Sequence, residues 1–228
     1  MAGVSPPRAV LFDAYGTLFD VYGVGALADE LFPGHGAALA TLWRDKQIEY
    51  TRLVTTSDDG AHYRPFWELT RAGLRYACKR LGLDLTPARE ERLLARYREL
   101  PVFPECGEVL GALRARGVVT GILSNGDPAM LGAAVRSAGL QPWLDHVLSV
   151  DSVRKYKTHP AAYALGTQAT GLPREQILFV SCNAWDALAA TWWGYPTLWV
   201  NRWDLPFEEL GTEPTRTGRD LRDVLALF

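Results

Sequence analysis

The chain carries no surplus of either charge: 24 Lys and Arg against 26 Asp and Glu leave a net charge of -2 over 228 residues. Binding to nucleic acid or to an anionic membrane draws on a basic excess, so neither is expected as a partner. Cysteine is scarce. Cys78, Cys106 and Cys182 are odd in number and far apart, a pattern that fits neither a disulfide framework nor a CxxC metal site and suits a reducing cytoplasm. No window approaches the roughly 20 apolar residues of a membrane span. Residues 1–8 include Pro6-Pro7 and lack the charged start and apolar stretch of a signal peptide. Internal repeats and low-complexity segments are also missing, so a soluble, cytoplasmic globular protein is expected. What the chain does have is 48% hydrophobic residues, enough for one core plus a small accessory domain.

The first apolar run, Val10-Leu11-Phe12, leads straight into Asp13, with Gly16-Thr17 just beyond. It reads as a buried strand that delivers a carboxylate to its carboxyl end, where α/β proteins place their chemistry. From about Val21 to Leu100 the signals are helical. Leu39, Leu42, Trp43, Lys46, Tyr50 and Leu53 follow a helical spacing, as do Phe66, Leu69, Gly73, Ala77 and Leu81, with a turn at Ser57-Asp58-Asp59-Gly60 between them. Thr86-Pro87 opens a third helix that runs to about Arg98. Strands resume at Val118–Leu123, His146–Val150, Ile177–Val180 and Thr197–Val200, separated by helices over 105–116, after Asp127-Pro128, and over 160–170. Alternating strands and helices predict a mainly parallel, Rossmann-like sheet core of class α/β. The expected division is a core of residues 1–20 and 101–228 with a helical cap, 21–100, inserted after the first strand. Residues 204–218 read as irregular.

Several strand ends then share one rim. Asp13, Ser124-Asn125 and Asn183-Ala184-Trp185-Asp186 can converge there. An aspartate in that place can serve as a nucleophile, a metal ligand or the cap of a turn.

The DxYGT pattern at Asp13-Ala14-Tyr15-Gly16-Thr17, the run Leu42-Trp43-Arg44-Asp45-Lys46-Gln47-Ile48-Glu49-Tyr50, the Ser124-Asn125-Gly126 turn and the Ser181-to-Asp186 segment resemble the haloacid dehalogenase superfamily. Within it they resemble the (S)-2-haloacid dehalogenases. The resemblance extends to about Arg202. It implies that Asp13 attacks C2 of a short 2-halocarboxylate to form an aspartyl ester, which water then cleaves to a 2-hydroxy acid. By the same resemblance Arg44 and Asn125 receive the halide, Lys157 pairs with Asp13, and Ser124 and Lys157 hold the substrate carboxylate. Asp186, Asn183 and Lys157 position the water, Thr17 bonds Asp13, and Ser181 supports Asp13 or Lys157. Ala14, Tyr15, Tyr163 and Trp185 line the pocket, and the protein forms a homodimer.

Phosphate-handling members of that superfamily carry an acid where Tyr15 stands and usually another where Cys182 stands. Their absence argues against magnesium and removes the acid that protonates an alkoxide, which a departing halide does not need. No cofactor is expected. Three departures from the family pattern stand out: Asp45 beside Arg44, Thr158 in place of the proline that follows the lysine, and Cys182 in place of a commoner serine. A phosphatase with an atypical metal site and a catalytically silent anion-binding scaffold are the alternative readings. Trp192-Trp193 are read as packing in a core helix or as a subunit contact.

Overall fold

The computed structural model describes residues 6–228. Residues 1–5, which hold part of the leader reading, lie outside it. Six parallel strands form one sheet in the order β3-β2-β1-β4-β5-β6. They are β1 (Ala9–Phe12), β2 (Val119–Ser124), β3 (His146–Ser149), β4 (Ile177–Ser181), β5 (Thr197–Val200) and β6 (Arg216–Gly218). Every residue of β1 is buried, as a central parallel strand covered on both faces requires.

Register brings the polar strand ends together. Phe12 is level with Ile122 of β2 and Val180 of β4, and Asp13 N–H donates to Val180 O at 2.9 Å. Asp13 therefore leaves the sheet beside Ser181 and one step from Ser124. The chain next turns sharply: Gly16 N–H donates to Phe19 O at 2.8 Å, with Gly16 at φ +98°, a conformation open to glycine and costly for side-chain-bearing residues.

Between β1 and β2 the chain is helical: α1 (Gly25–Leu31), α2 (Gly36–Thr56), α3 (Phe66–Arg80), α4 (Pro87–Arg98) and α5 (Cys106–Ala115). The way out and the way back lie side by side, since Asp20 N–H donates to Pro101 O at 2.8 Å and Phe103 N–H to Leu18 O at 3.0 Å. Gly73 of α3 permits close approach to α2, because a Cβ there would stand 3.2 Å from Trp43 Cδ1. Trp43 Nε1 then donates to Thr70 O at 2.7 Å. Predicted caps form as read: Thr86 accepts from Arg89 N–H, and Asp127 from Met130 N–H, at the starts of α4 and α6 (Pro128–Ser137). Gly171, at φ +68°, ends α7 (Pro160–Thr170).

One sequence reading changes. Within the expected irregular tail, Arg216–Gly218 pairs with β5, since backbone pairing at a sheet edge needs no apolar run. Helix α1, seven residues long, shows no clear periodicity of its own. The tryptophan pair lies at the end of α8 (Ala184–Trp193); Trp193 packs against the core under the Arg174 guanidinium, and Trp192 is 58% exposed and donates to Thr212 Oγ1. Among the described residues no helix is long and apolar enough to cross a membrane.

Candidate active site

Asp13 is buried at the rim and surrounded by donors. Its Oδ2 accepts from Asn183 Nδ2 at 2.8 Å and from Thr17 Oγ1 at 3.2 Å, and its Oδ1 faces Lys157 Nζ at 3.1 Å. Thr17 is held in turn by Cys182 N–H, which donates to its Oγ1 at 2.9 Å. The carboxylate is thus aimed from three sides.

Lys157 is almost fully buried and stands between two acids, bonding Asp186 Oδ2 at 2.9 Å as well as Asp13. Its backbone is fixed too, since Lys157 N–H donates to Asn125 Oδ1 at 2.9 Å. That bond uses Asn125's acceptor and leaves its amide hydrogens available. Ser124 Oγ accepts from Gly126 N–H at 3.0 Å, which leaves its hydroxyl hydrogen free to donate. The neighbouring Lys155 pairs with Asp59 at 2.6 Å, away from this cluster. The Lys157-Thr158 peptide is cis.

Asp186 is completely buried. Tyr163 Oη donates to its Oδ1 at 2.8 Å, and Ser181 Oγ and Lys157 both donate to Oδ2. Burial, only partly offset by Lys157, pushes this carboxyl up to about 6. Tyr163 lies behind Asp186 and anchors it, and Ser181 reaches Lys157 through their shared partner Asp186 Oδ2, because the first turn of α8 brings residue 186 back over the end of β4.

Arg44 reaches the rim from α2. Its guanidinium donates to Tyr15 O at 2.8 Å, to Gln47 Oε1 at 2.7 Å and to Asn183 Oδ1 at 3.5 Å. Asp45, next in sequence, points to solvent and makes no ion pair with it. A cleft of about 610 Å³ opens beside this group, lined by Arg44, Ile48, Asn183, Trp185 and Trp203 among others. Trp185 thus forms part of a wall, and Arg52 lies over its ring at 5.5 Å. Tyr15 turns its ring away into a cluster with Phe19, Phe66 and Tyr97 and meets the site through its carbonyl; Ala14 is fully buried at the same turn.

This donor set does not fit a divalent cation. Lys157 fills the space between the two carboxylates, burial pushes the Cys182 thiol up to about 11, and the Tyr15 phenol is also shifted upward by burial. Neither side chain offers an anionic oxygen. Among the described residues no three His, Cys, Asp or Glu side chains gather as a cation site.

Sequence reading missed the support of Arg44. Gln47 was visible only as one letter of a run, and Thr70 and Tyr97, which bond it, carried no signal. Asp127 was read as a cap and also accepts Trp67 N–H at 3.0 Å, which ties α3 to the rim.

A parallel α/β core with a buried aspartate–lysine–aspartate array at the ends of its central strands defines the class of protein. The model of the haloacid dehalogenase-like hydrolases matches residues 7–194. The (S)-2-haloacid dehalogenase of Pseudomonas sp. (strain YL) is 45% identical over 97% of this chain and 94% of its own length. A crystal structure of an L-2-haloacid dehalogenase superposes with a TM-score of 0.95 at 55% identity, covering 97% of this chain and 98% of the other. A second, the L-2-haloacid dehalogenase of Xanthobacter autotrophicus with chloropropionic acid covalently bound, gives a TM-score of 0.89 at 32% identity over 97% and 98% of the two chains. The chain belongs to the haloacid dehalogenase-like hydrolases.

Proposed function

We propose that this protein hydrolyses short (S)-2-haloacids to (R)-2-hydroxy acids through an ester on Asp13. The observation that carries the reading is a buried carboxylate held between Lys157, Thr17 and Asn183, with the Arg44 guanidinium close by and, among the described residues, free of any carboxylate partner. The names of its relatives support the same substrate class.

Substrate and nucleophile are both anions. At 4 Å and an effective dielectric near 20 they repel by about 4 kcal/mol, so cations must offset the approach. Lys157, with the free hydroxyl hydrogen of Ser124, receives the substrate carboxylate near the turn at Ala14 and Tyr15. An Asp13 oxygen attacks C2 from the side opposite the halogen; the C2–halogen bond breaks with its electron pair, and the halide leaves toward Arg44 and the Asn125 amide. Configuration at C2 inverts. Water then attacks the Asp13 carbonyl carbon and the ester C–O bond breaks; one water proton passes to the departing alkoxide oxygen and the other is released to solvent, so the 2-hydroxy acid departs with the Asp13 carboxylate restored. Asn183 and Lys157 position that water, and Asp186 acts by holding Lys157 and drawing its charge toward the ester. Trp185 forms the wall of the approach.

Residues 21–100 serve as the cap over a core whose described part is residues 6–20 and 101–228, with Arg44 as the group the cap contributes. A cytoplasmic homodimer completes the reading. Buried, unpaired Cys78, Cys106 and Cys182 support a reducing setting, and sedimentation equilibrium reads the dimer.

The test is a single turnover of (S)-2-chloropropionate in oxygen-18 water, with halide measured in solution and the Asp13 peptide by mass. Chloride release with oxygen-18 entering Asp13 is expected. Label that enters the product first and never Asp13 overturns the ester.

The pH dependence follows from Asp186. Its charge holds Lys157, so kcat/KM falls as pH drops through about 6. Tyr163 donates to the charged form, so Tyr163→Phe favours the protonated acid and moves that limb to higher pH, which a pH–rate profile reads directly. The stability sign is opposite. A carboxyl raised from its ordinary 3.8 contributes stability that is full below 3.8 and lost as pH rises through about 6, on the order of 3 kcal/mol in all.

A further inference from the structure

Gln47 lies three residues, one helical turn, beyond Arg44 on α2 and is fully buried, yet it is neutral and beyond the rim. Its orientation can be deduced. Thr70 Oγ1 donates its single hydrogen to Phe66 O at 2.8 Å, so toward Gln47 Nε2, at 2.6 Å, it acts as acceptor. The amide nitrogen must therefore point at Thr70, and Oε1 must point at Arg44. That oxygen accepts from the Arg44 guanidinium at 2.7 Å and from Tyr97 Oη at 3.0 Å, which fills both lone pairs. Trp43 Nε1, donating to Thr70 O, braces the same turn of α3.

Every acceptor that Arg44 meets is uncharged: Gln47 Oε1, Tyr15 O and Asn183 Oδ1. Its only adjacent acid in sequence, Asp45, faces solvent. A buried guanidinium is ordinarily paired with a carboxylate, and α2 could supply one by placing Glu where Gln47 is. It does not. We infer that Gln47 is a positioning residue that aims Arg44 through a neutral acceptor, so that the full charge of the guanidinium stays available to an anion at the rim. The inference rests on the proposed reaction for its purpose, since the anion is then the departing halide, but the anion-binding consequence stands apart from turnover.

Gln47→Glu keeps the size and the acceptor toward Arg44 and adds a carboxylate that competes for its charge. Thr70→Val keeps the site neutral but removes the acceptor that orients the Gln47 amide. Bromide affinity, read from the NMR line width of bromide titrated with protein, is expected to fall by at least about tenfold in Gln47→Glu. In Thr70→Val it should stay within about threefold, while kcat falls with KM little changed because the guanidinium is less well aimed. Gln47→Glu should also lose more on 2-chloro than on 2-bromo substrates, since chloride is the poorer leaving group. Near-ultraviolet circular dichroism and melting curves show whether each variant is folded, and Thr70→Val, an isosteric apolar exchange, stands in if the buried glutamate prevents folding.

Undiminished bromide affinity in Gln47→Glu, equal losses of affinity in the two variants, kcat unchanged in Thr70→Val, or a wild-type protein that binds no bromide would each overturn the inference. A wild type that binds bromide but releases no halide from any 2-haloacid would instead remove the proposed function and leave the positioning role in place.

Discussion

Asp13→Asn is expected to abolish steady turnover, with kcat down by on the order of 10⁴-fold or more, the scale seen when the group that forms the covalent bond is lost. Two physical effects coincide. The amide oxygen is a far weaker nucleophile than a carboxylate, and the amide cannot satisfy its surroundings. In the native site every contact to Asp13 is a donor: Lys157 on Oδ1, Thr17 and Asn183 on Oδ2. Whichever way an asparagine is turned, its NH₂ meets a donor, and one contact becomes unfavourable by about 1–3 kcal/mol. Lys157 keeps Asp186 as its partner, so the fold is retained. The measurement is halide release under pre-steady-state conditions, with intact mass excluding a fraction deamidated back to aspartate. A burst of one halide per subunit in the variant would sink the nucleophile assignment.

Lys157→Met has the second largest effect, and it shows in both activity and stability. Methionine nearly matches lysine in length but leaves two buried carboxylates with no cation between them. Breaking a buried pair from one side typically costs about 3–5 kcal/mol. The loss depends on pH. Without Lys157, which lowers the pKa of Asp186 in the native protein, that carboxyl rises further and takes up a proton near neutrality. The variant is therefore least impaired at acid pH and loses stability as pH rises through the new, higher value. Urea unfolding at pH 5 and pH 8 reads this directly, with the larger deficit at pH 8. Turnover falls by roughly 10³-fold or more, because the cation that offsets the repulsion between substrate and Asp13 is gone. An unfolding deficit that is the same at both pH values would show that Lys157 is not the partner of Asp186 in solution.

Much of the fold was legible before any coordinates. The apolar run into Asp13, the cap-and-proline starts at Thr86-Pro87 and Asp127-Pro128, and the glycine stop at Gly171 are local signals. Each is read from a few neighbouring residues, because backbone preference, missing amide hydrogens and side-chain caps act within a turn or so of chain. The polar ends of β1, β2 and β4 could also be placed on one rim, since parallel strands joined by right-handed crossovers leave little freedom. Short or edge elements escaped: α1 has too few turns to show a period, and β6 pairs through its backbone alone.

The roles of particular atoms were not legible in the same way. Lys157 lies 144 residues from Asp13 in the chain; the family resemblance implied that pair, but nothing near either residue tells that the ammonium also bonds Asp186 and so sits buried between two carboxylates. That Tyr163 and Ser181 both bond Asp186 depends on how the first turn of α8 folds over β4, a matter of packing angle. Arg44 meets Tyr15 O across 29 residues, through a contact between a helix and a turn that no local pattern encodes. The shift of Asp186 to about 6 belongs wholly to this second kind, since it arises from complete burial. The chain's local chemistry thus sets which groups stand at the mouth of the sheet. Their charge states and hydrogen-bond partners come from long-range packing, because desolvation and distance are properties of the assembled molecule and of no short stretch within it.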